Sequence, residues 1–423
     1  MTAASSIGAL CVSTGWIASP RQWEAADSPA SARATYFPGS CPVSGSKASN
    51  ISSRPQTCLL ETPRFPFKVS PVVQVAQLIG STPNGRNARY DPYPHSINDT
   101  TRWRLCRGDL GSLMVSQGVG YVALGDNYSD CANGRPGRDP PVWRSNAVGI
   151  IGDPGNFVRG LYINRWVSRN GKTAAQVIPS AHNAGDCQAT QFAGCEVTTI
   201  PTYSFAVAGH LFLAFMSVHH WGQGGAWQVN YSSFTMSPDH GRTWRVERRR
   251  IHWGANSNFA QVAIAPDPRG KHLLFYGIPA GLFGQVELMR APDTVRGVLS
   301  RRDYQYFAGT ADGRPRWTIN ISRAATVTNG LVGELSVIYD PGLKHWLMTD
   351  LEGNTALVMR TSVNYWGPWS QPQSIATQGD FPGLYGAFME PHFLTHHGHT
   401  VYFVMSRFGP YRIYWMKITV TPD

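Results

Sequence analysis

Two aspartates, Asp109 and Asp126, bracket the stretch DLGSLMVSQGVGYVALGD, in which two apolar runs are separated by SQGVG. A turn centred on Gly118 makes residues whose numbers sum to about 235 or 236 face each other across an antiparallel pair. Asp109 then lies opposite or diagonal to Asp126, at the same end of adjacent strands, with the side chains several ångströms apart. Two facing carboxylates are what glycosidic hydrolysis needs: one protonates the leaving oxygen, and the other acts at the anomeric carbon directly or through water. An ordinary pair of turn aspartates is the competing reading. Residues two apart share a strand face, which groups Arg107 with Asp109 and both Leu124 and Tyr128 with Asp126. A cation favours an ionised carboxylate and an apolar setting a protonated one. The expected roles are therefore Asp126 as general acid and Asp109 as base or nucleophile.

The elements that must hold such a pair are strands. Short apolar runs recur from Val69 to the C-terminus (VVQVAQLIG, YSFAVAG, LFLAFMSV, HLLFYGI, VYFVMS), punctuated by turn residues and with no long amphipathic helix among them. That is an all-β pattern. SPDHGRTW (237–244) fits S-x-D-x-G-x-T-W, the Asp-box turn between outer strands of sialidase-type propeller blades. Asp239 is expected to cap backbone amides, Gly241 to supply a positive φ and Trp244 to anchor the next strand, so Asp239 reads as structural. RTSVNYWGPWS (360–370) ends a second strand group in an aromatic turn, and the repetition favours a β-propeller over a sandwich.

Bulk properties narrow the function. The 423 residues are 42% hydrophobic and only 15% charged, enough to bury a substantial core. The net charge of +11 carries no nucleic-acid motif with it, and RVERRR (245–250) reads as a solvated strand edge. No run of apolar residues is long enough to span a membrane. Neither a CxxC pair nor HExxH occurs, no phosphate-binding glycine loop is present, and the chemistry demands neither metal nor cofactor. IGALCVSTGWIA (7–18) has the length of an export-signal core, and a Ser/Ala/Pro-rich leader follows, so residues 1–65 are expected to precede a catalytic domain at 66–423. The seven cysteines are expected to pair as Cys106–Cys131, Cys187–Cys195 and Cys41–Cys58, leaving Cys11 in the signal segment.

Several motifs resemble the actinobacterial endo-D-arabinanases, a family long catalogued as a domain of unknown function. They are DLG (109–111), ALGDN (123–127), WRSN (143–146), the run from His219 to Trp244, NFAQVAI (258–264), YGIPAGLFG (276–284), VGELSVIYD (332–340), RTSVNYWGPWS (360–370), PGLYGAFMEPHF (382–393) and MSRFGPYRIYWMKI (405–418). They stand in family order and cover about residues 66–423. The resemblance implies a five-bladed β-propeller, cleavage inside the D-arabinan of arabinogalactan and lipoarabinomannan, and catalysis by Asp109 and Asp126. Two departures bear on subsite shape: GDN in place of GDT, and Glu390 where relatives carry histidine.

Around the pair, Glu334 reads either as a third carboxylate or as a buried, satisfied acid. Trp143, Trp221 and Tyr385 offer flat faces for furanose rings or belong to the core. Arg144, Asn146, Asn258 and Gln261 could hydrogen-bond sugar hydroxyls or close blade turns. The expected partner is an envelope polysaccharide acted on by a monomer outside the cytoplasm. The alternatives are a non-catalytic carbohydrate-binding propeller, such as a lectin or phage adhesin, and a sialidase, whose arginine trio is missing.

Overall fold

The computed structural model describes residues 62–80, 96–129, 142–182, 187, 195–395 and 397–422. Within them the chain forms five antiparallel sheets, each the blade of a propeller, with almost no helix. The innermost strands are Arg107–Ser116, Thr198–Val207, Gln261–Pro266, Ser336–Asp340 and Leu384–Thr395, and each contacts the next in a closed ring. Chain order and blade order coincide, so the resemblance-based blade number holds. Closure comes from the N-terminal side. Phe67–Val69 and Val73–Gln77 both pair with the last strand, Arg412–Pro422, through registers such as Phe67↔Pro422 and Gln77↔Tyr414.

The blades are apolar on both faces because each is sandwiched between neighbours, and the buried clusters lie between sheets. Blade one meets blade five through Leu113, Leu124, Val404 and Trp415, and blade two through Met114, Tyr121, Leu213 and Phe215. Trp415 is fully buried, and its indole N–H donates to the Phe157 carbonyl at 2.8 Å, so its polar atom is satisfied inside the core. Pro201 is tolerated in a strand interior because it lies on an innermost edge, at a register shift.

The Asp-box turn is built as its sequence dictates. Asp239 accepts from the Thr243 amide at 2.8 Å, the Thr243 hydroxyl at 2.6 Å and the Ser237 hydroxyl at 2.9 Å. Gly241 has φ +86°, and the Trp244 indole donates to the Gly241 carbonyl at 3.0 Å. Cys187 and Cys195 are bridged, with Cα atoms 5.7 Å apart. Cys106 is disulfide-bonded, while its expected partner Cys131, the proposed pair Cys41–Cys58, Cys11 and the leader lie outside the described residues.

Candidate active site

The hairpin that carries both aspartates has the register its turn implies: Gly108 faces Asn127, Ser112 faces Ala123 and Ser116 faces Val119. Between Gly108 and Ser112 the register slips, and Leu110 faces Leu124. Leu110 and Gly111 both adopt positive φ, +64° and +89°, the signature of a bulge. Gly111 is required there, because a Cβ would stand 2.5 Å from the Val404 side chain of blade five. The bulge carries the Asp109 carboxyl across to the neighbouring strand, over Gly125. A Cβ on Gly125 would lie 2.5 Å from Asp109 Oδ1. DLG and GD thus form one device: two glycines make room for one carboxylate beside the other.

Both acids sit where the innermost strands begin, and the other blades reach them from the same end. Thr198, the first residue of blade two's inner strand, donates its hydroxyl to Asp126 Oδ1 at 2.6 Å, and the Trp143 indole donates to the same oxygen at 2.7 Å. Tyr385, at the start of blade five's inner strand, donates its hydroxyl to Asp109 Oδ2 at 2.9 Å. Asp109 Oδ1 is buried with no partner among the described residues. Burial pushes the Asp126 carboxyl up to about 7, against the Thr198 bond, with the Asp109 charge pushing the same way. Burial likewise lifts Asp109 to about 6, opposed by the hydroxyls of Tyr385 and Tyr411. Asp126 is only 7% exposed, whereas Asp109 keeps a solvent-facing side while being enclosed by tyrosines and acids.

Glu334, just ahead of blade four's inner strand, belongs to this group. Burial and then the Asp109 charge raise it to about 8, and its Oε2 is buried without a partner. The Gly386 amide opposes that rise, so the carboxyl is only partly satisfied.

The other candidates divide. Trp143 and Tyr385 reach the carboxylates through their polar atoms, and the Trp143 ring is already stacked on His182, with centroids 4.3 Å apart. His182 thus covers one face of the Trp143 ring. Trp221 is 39% exposed, stands edge-on to Trp227 with centroids 5.7 Å apart, and follows the strand in which Val218 faces Thr198. Arg144 is buried under its own blade, donating to Asn127 Oδ1 and the Arg104 carbonyl at 2.7 Å each. Asn146 is consumed by the backbone of Val177, Ile178 and Thr199, and Gln261 by the Pro279 and Gly281 carbonyls. Asn258 donates to the Gln285 carbonyl. Asn146 and Gln261 are framework, with their amides turned to backbone, whereas the Nη1 of Arg144 is buried with no hydrogen-bond partner among the described residues. Glu390 is separate as well: it accepts from the His392 amide, and the group it acts on is Tyr203, further along the central strands. Arg107 does not govern Asp109, because its guanidinium lies 5.1 Å over the Tyr128 ring. The bulge, which breaks the two-residue alternation, explains that miss. Sequence reasoning also passed over Thr198 and Tyr411. Thr198 gives no signal in a β-branched strand start, whereas Tyr411 lies in the FGPY turn of a quoted motif.

The family model described as "Domain of unknown function (DUF4185)" matches residues 95–417. No curated protein matches the sequence. Among solved structures, a protein of Bacteroides ovatus ATCC 8483 named provisionally as a hydrolase shares 12% identity over 74% of this chain and 86% of its own, at a TM-score of 0.52. A GH43_1 enzyme from Xanthomonas citri shares 13% identity over 77% and 90%, at a TM-score of 0.43. A Bacillus subtilis arabinanase shares 11% over 75% and 96%, at 0.39. At these identities the likeness to the Bacteroides protein is one of fold.

Proposed function

The chain belongs to the family described as a domain of unknown function, DUF4185, and we propose that it is a glycoside hydrolase cleaving within α-D-arabinofuranosyl chains of arabinogalactan and lipoarabinomannan. The observation that carries the reaction class is the Asp109–Asp126 pair at the mouth of the propeller, a half-buried and a buried acid held side by side with unequal partners. The substrate class rests on the ordered motifs from DLG to MSRFGPYRIYWMKI. The proposal includes a location outside the cytoplasm, where an envelope polysaccharide would be met.

In this reading Asp126 is the general acid. Its Oδ1 already accepts two hydrogen bonds, so the proton rides on Oδ2 and passes to the departing glycosidic oxygen. Asp109, ionised and held by Tyr385, acts on the anomeric carbon or on the water that attacks it. Glu334 faces substrate hydroxyls from blade four, and the exposed Trp221 offers a stacking face at the rim.

Incubation with purified arabinogalactan, followed by profiling of released fragments, tests the proposal. Internal cleavage gives arabino-oligosaccharides with new reducing ends. Binding to the polymer without any new reducing end would instead assign the propeller to carbohydrate binding.

A further inference from the structure

A second feature lies away from the carboxylates, in the outer groove between blades two and three. A cavity of about 410 Å³ is lined there by Arg249, Arg250, His252, Trp253, Ser257 and Arg301. Four of these residues are cationic or can become so, and no acid lines the cavity. A second hollow beside it is walled by Arg245, Arg248, Arg249 and Arg250. Its acid, Glu247, is buried and already engaged by Arg245 at 2.6 Å.

The inner wall is more specific than a solvated run of charge. The Arg301 guanidinium lies 4.8 Å over the Trp253 ring, which fixes its plane. Its Nη1 is buried with no hydrogen-bond partner among the described residues. A buried guanidinium donor left unpaired costs free energy, and such an orphan in a native fold calls for an acceptor. Arg249 and Arg250 at the rim are exposed, and Arg250 lies 3.8 Å from Glu247 in a loose ion pair. A planar fork fixed by an aromatic, with two exposed guanidinium groups lining the same cavity, offers the donors that a tetrahedral oxyanion takes.

We propose that this groove is a binding site for a phosphate-class oxyanion, held by Arg301 on the inside and by Arg249 and Arg250 at the rim. The site shares no residue with the carboxylate cluster and does not depend on the reaction assigned there. The phosphate group could be free or part of a diester, and both present the oxygens that guanidinium groups recognise.

Calorimetric titration with inorganic phosphate, and separately with dimethyl phosphate, tests it against sodium chloride at matched ionic strength. Saturable binding of either phosphate over chloride is expected, with quenching or enhancement of tryptophan emission from Trp253. Preference for inorganic phosphate points to a free or terminal group, and equal binding to a diester. Arg301→Gln should weaken binding by about tenfold or more. Because that side chain is partly internal, the exposed double variant Arg249→Gln/Arg250→Gln provides the second reading: it should weaken binding comparably and leave hydrolysis of a neutral arabino-oligosaccharide unchanged. Equal response to phosphate and chloride in the wild type, or wild-type affinity in both variants, would overturn the site.

Discussion

Asp126 and Asp239 lie one blade apart and are treated in opposite ways. Asp239 occupies a turn between outer strands, where three donors converge on its carboxylate and hold it down at about 2. Asp126 lies inside, with two donors on one oxygen and a second acid beside it, and is pushed up to about 7. In the turn, every acceptor that the fold satisfies contributes to stability. At the propeller mouth, burial outweighs the donors and like charges are gathered, an arrangement that costs stability and raises both acids toward neutral pH. Structural and chemical aspartates are thus told apart by what surrounds them, and each contrast can be broken experimentally.

The largest contrast is in rate. Asp109→Asn or Asp126→Asn should lower kcat/KM on arabinan by at least ~100-fold with the circular dichroism spectrum unchanged. Asp239→Ala should leave activity per folded molecule intact.

The pH profile comes next. Activity should fall as Asp109 gains its proton below about 6 and as Asp126 loses its own above about 7, a bell belonging to the coupled pair. Each limb should approach about tenfold per pH unit. A flat profile from pH 4 to 9 would remove both acids from the mechanism.

Tyr385→Phe deletes the hydroxyl that favours ionised Asp109. A loss of roughly tenfold in kcat/KM is expected, and the acid limb should move to higher pH. A Tyr385 that served only packing would leave that limb in place.

The smallest contrast is thermal, and the two sites should differ in sign. The folded Asp126 pKa is raised above its unfolded value, so its cost to stability is absent below about pH 4 and complete above about pH 7. Asp126→Asn, whose amide oxygen can still accept from Thr198 and Trp143, should raise Tm by about 1–3 °C at pH 8 and hardly at all at pH 4. For Asp239 the folded pKa is depressed, so its contribution is present above about pH 4 and fades as the pH falls through about 2. Asp239→Ala should lower Tm by about 1–4 °C at pH 8. Differential scanning calorimetry at the two pH values reads both.

The hairpin register was legible because a single turn fixes it: with Gly118 at the tip, the pairing of Gly108 with Asn127 follows. The Asp-box was legible for the same reason, since all its bonds fall within the octet Ser237–Trp244. What could not be read is set by distant chain. The bulge at Leu110–Gly111 is shaped by packing against Val404, nearly three hundred positions away, and it undid the face assignment of Arg107. Residue type alone also does not say which end of an amphipathic side chain will be used. Trp143 and Tyr385 were read as flat faces for sugar rings or as core, and their N–H and O–H are what reach the acids. Asn146 and Gln261 have the donors that sugar recognition uses, but backbone carbonyls claim them.

The division of labour between the two acids is tested most directly with an activated aryl α-D-arabinofuranoside, whose leaving group needs little protonation. Relative to wild type, Asp126→Asn should retain substantial activity on this substrate while remaining inactive on arabinan, and Asp109→Asn should be inactive on both. The reverse pattern would exchange the roles, and full activity of both variants on both substrates would contradict catalysis by this pair.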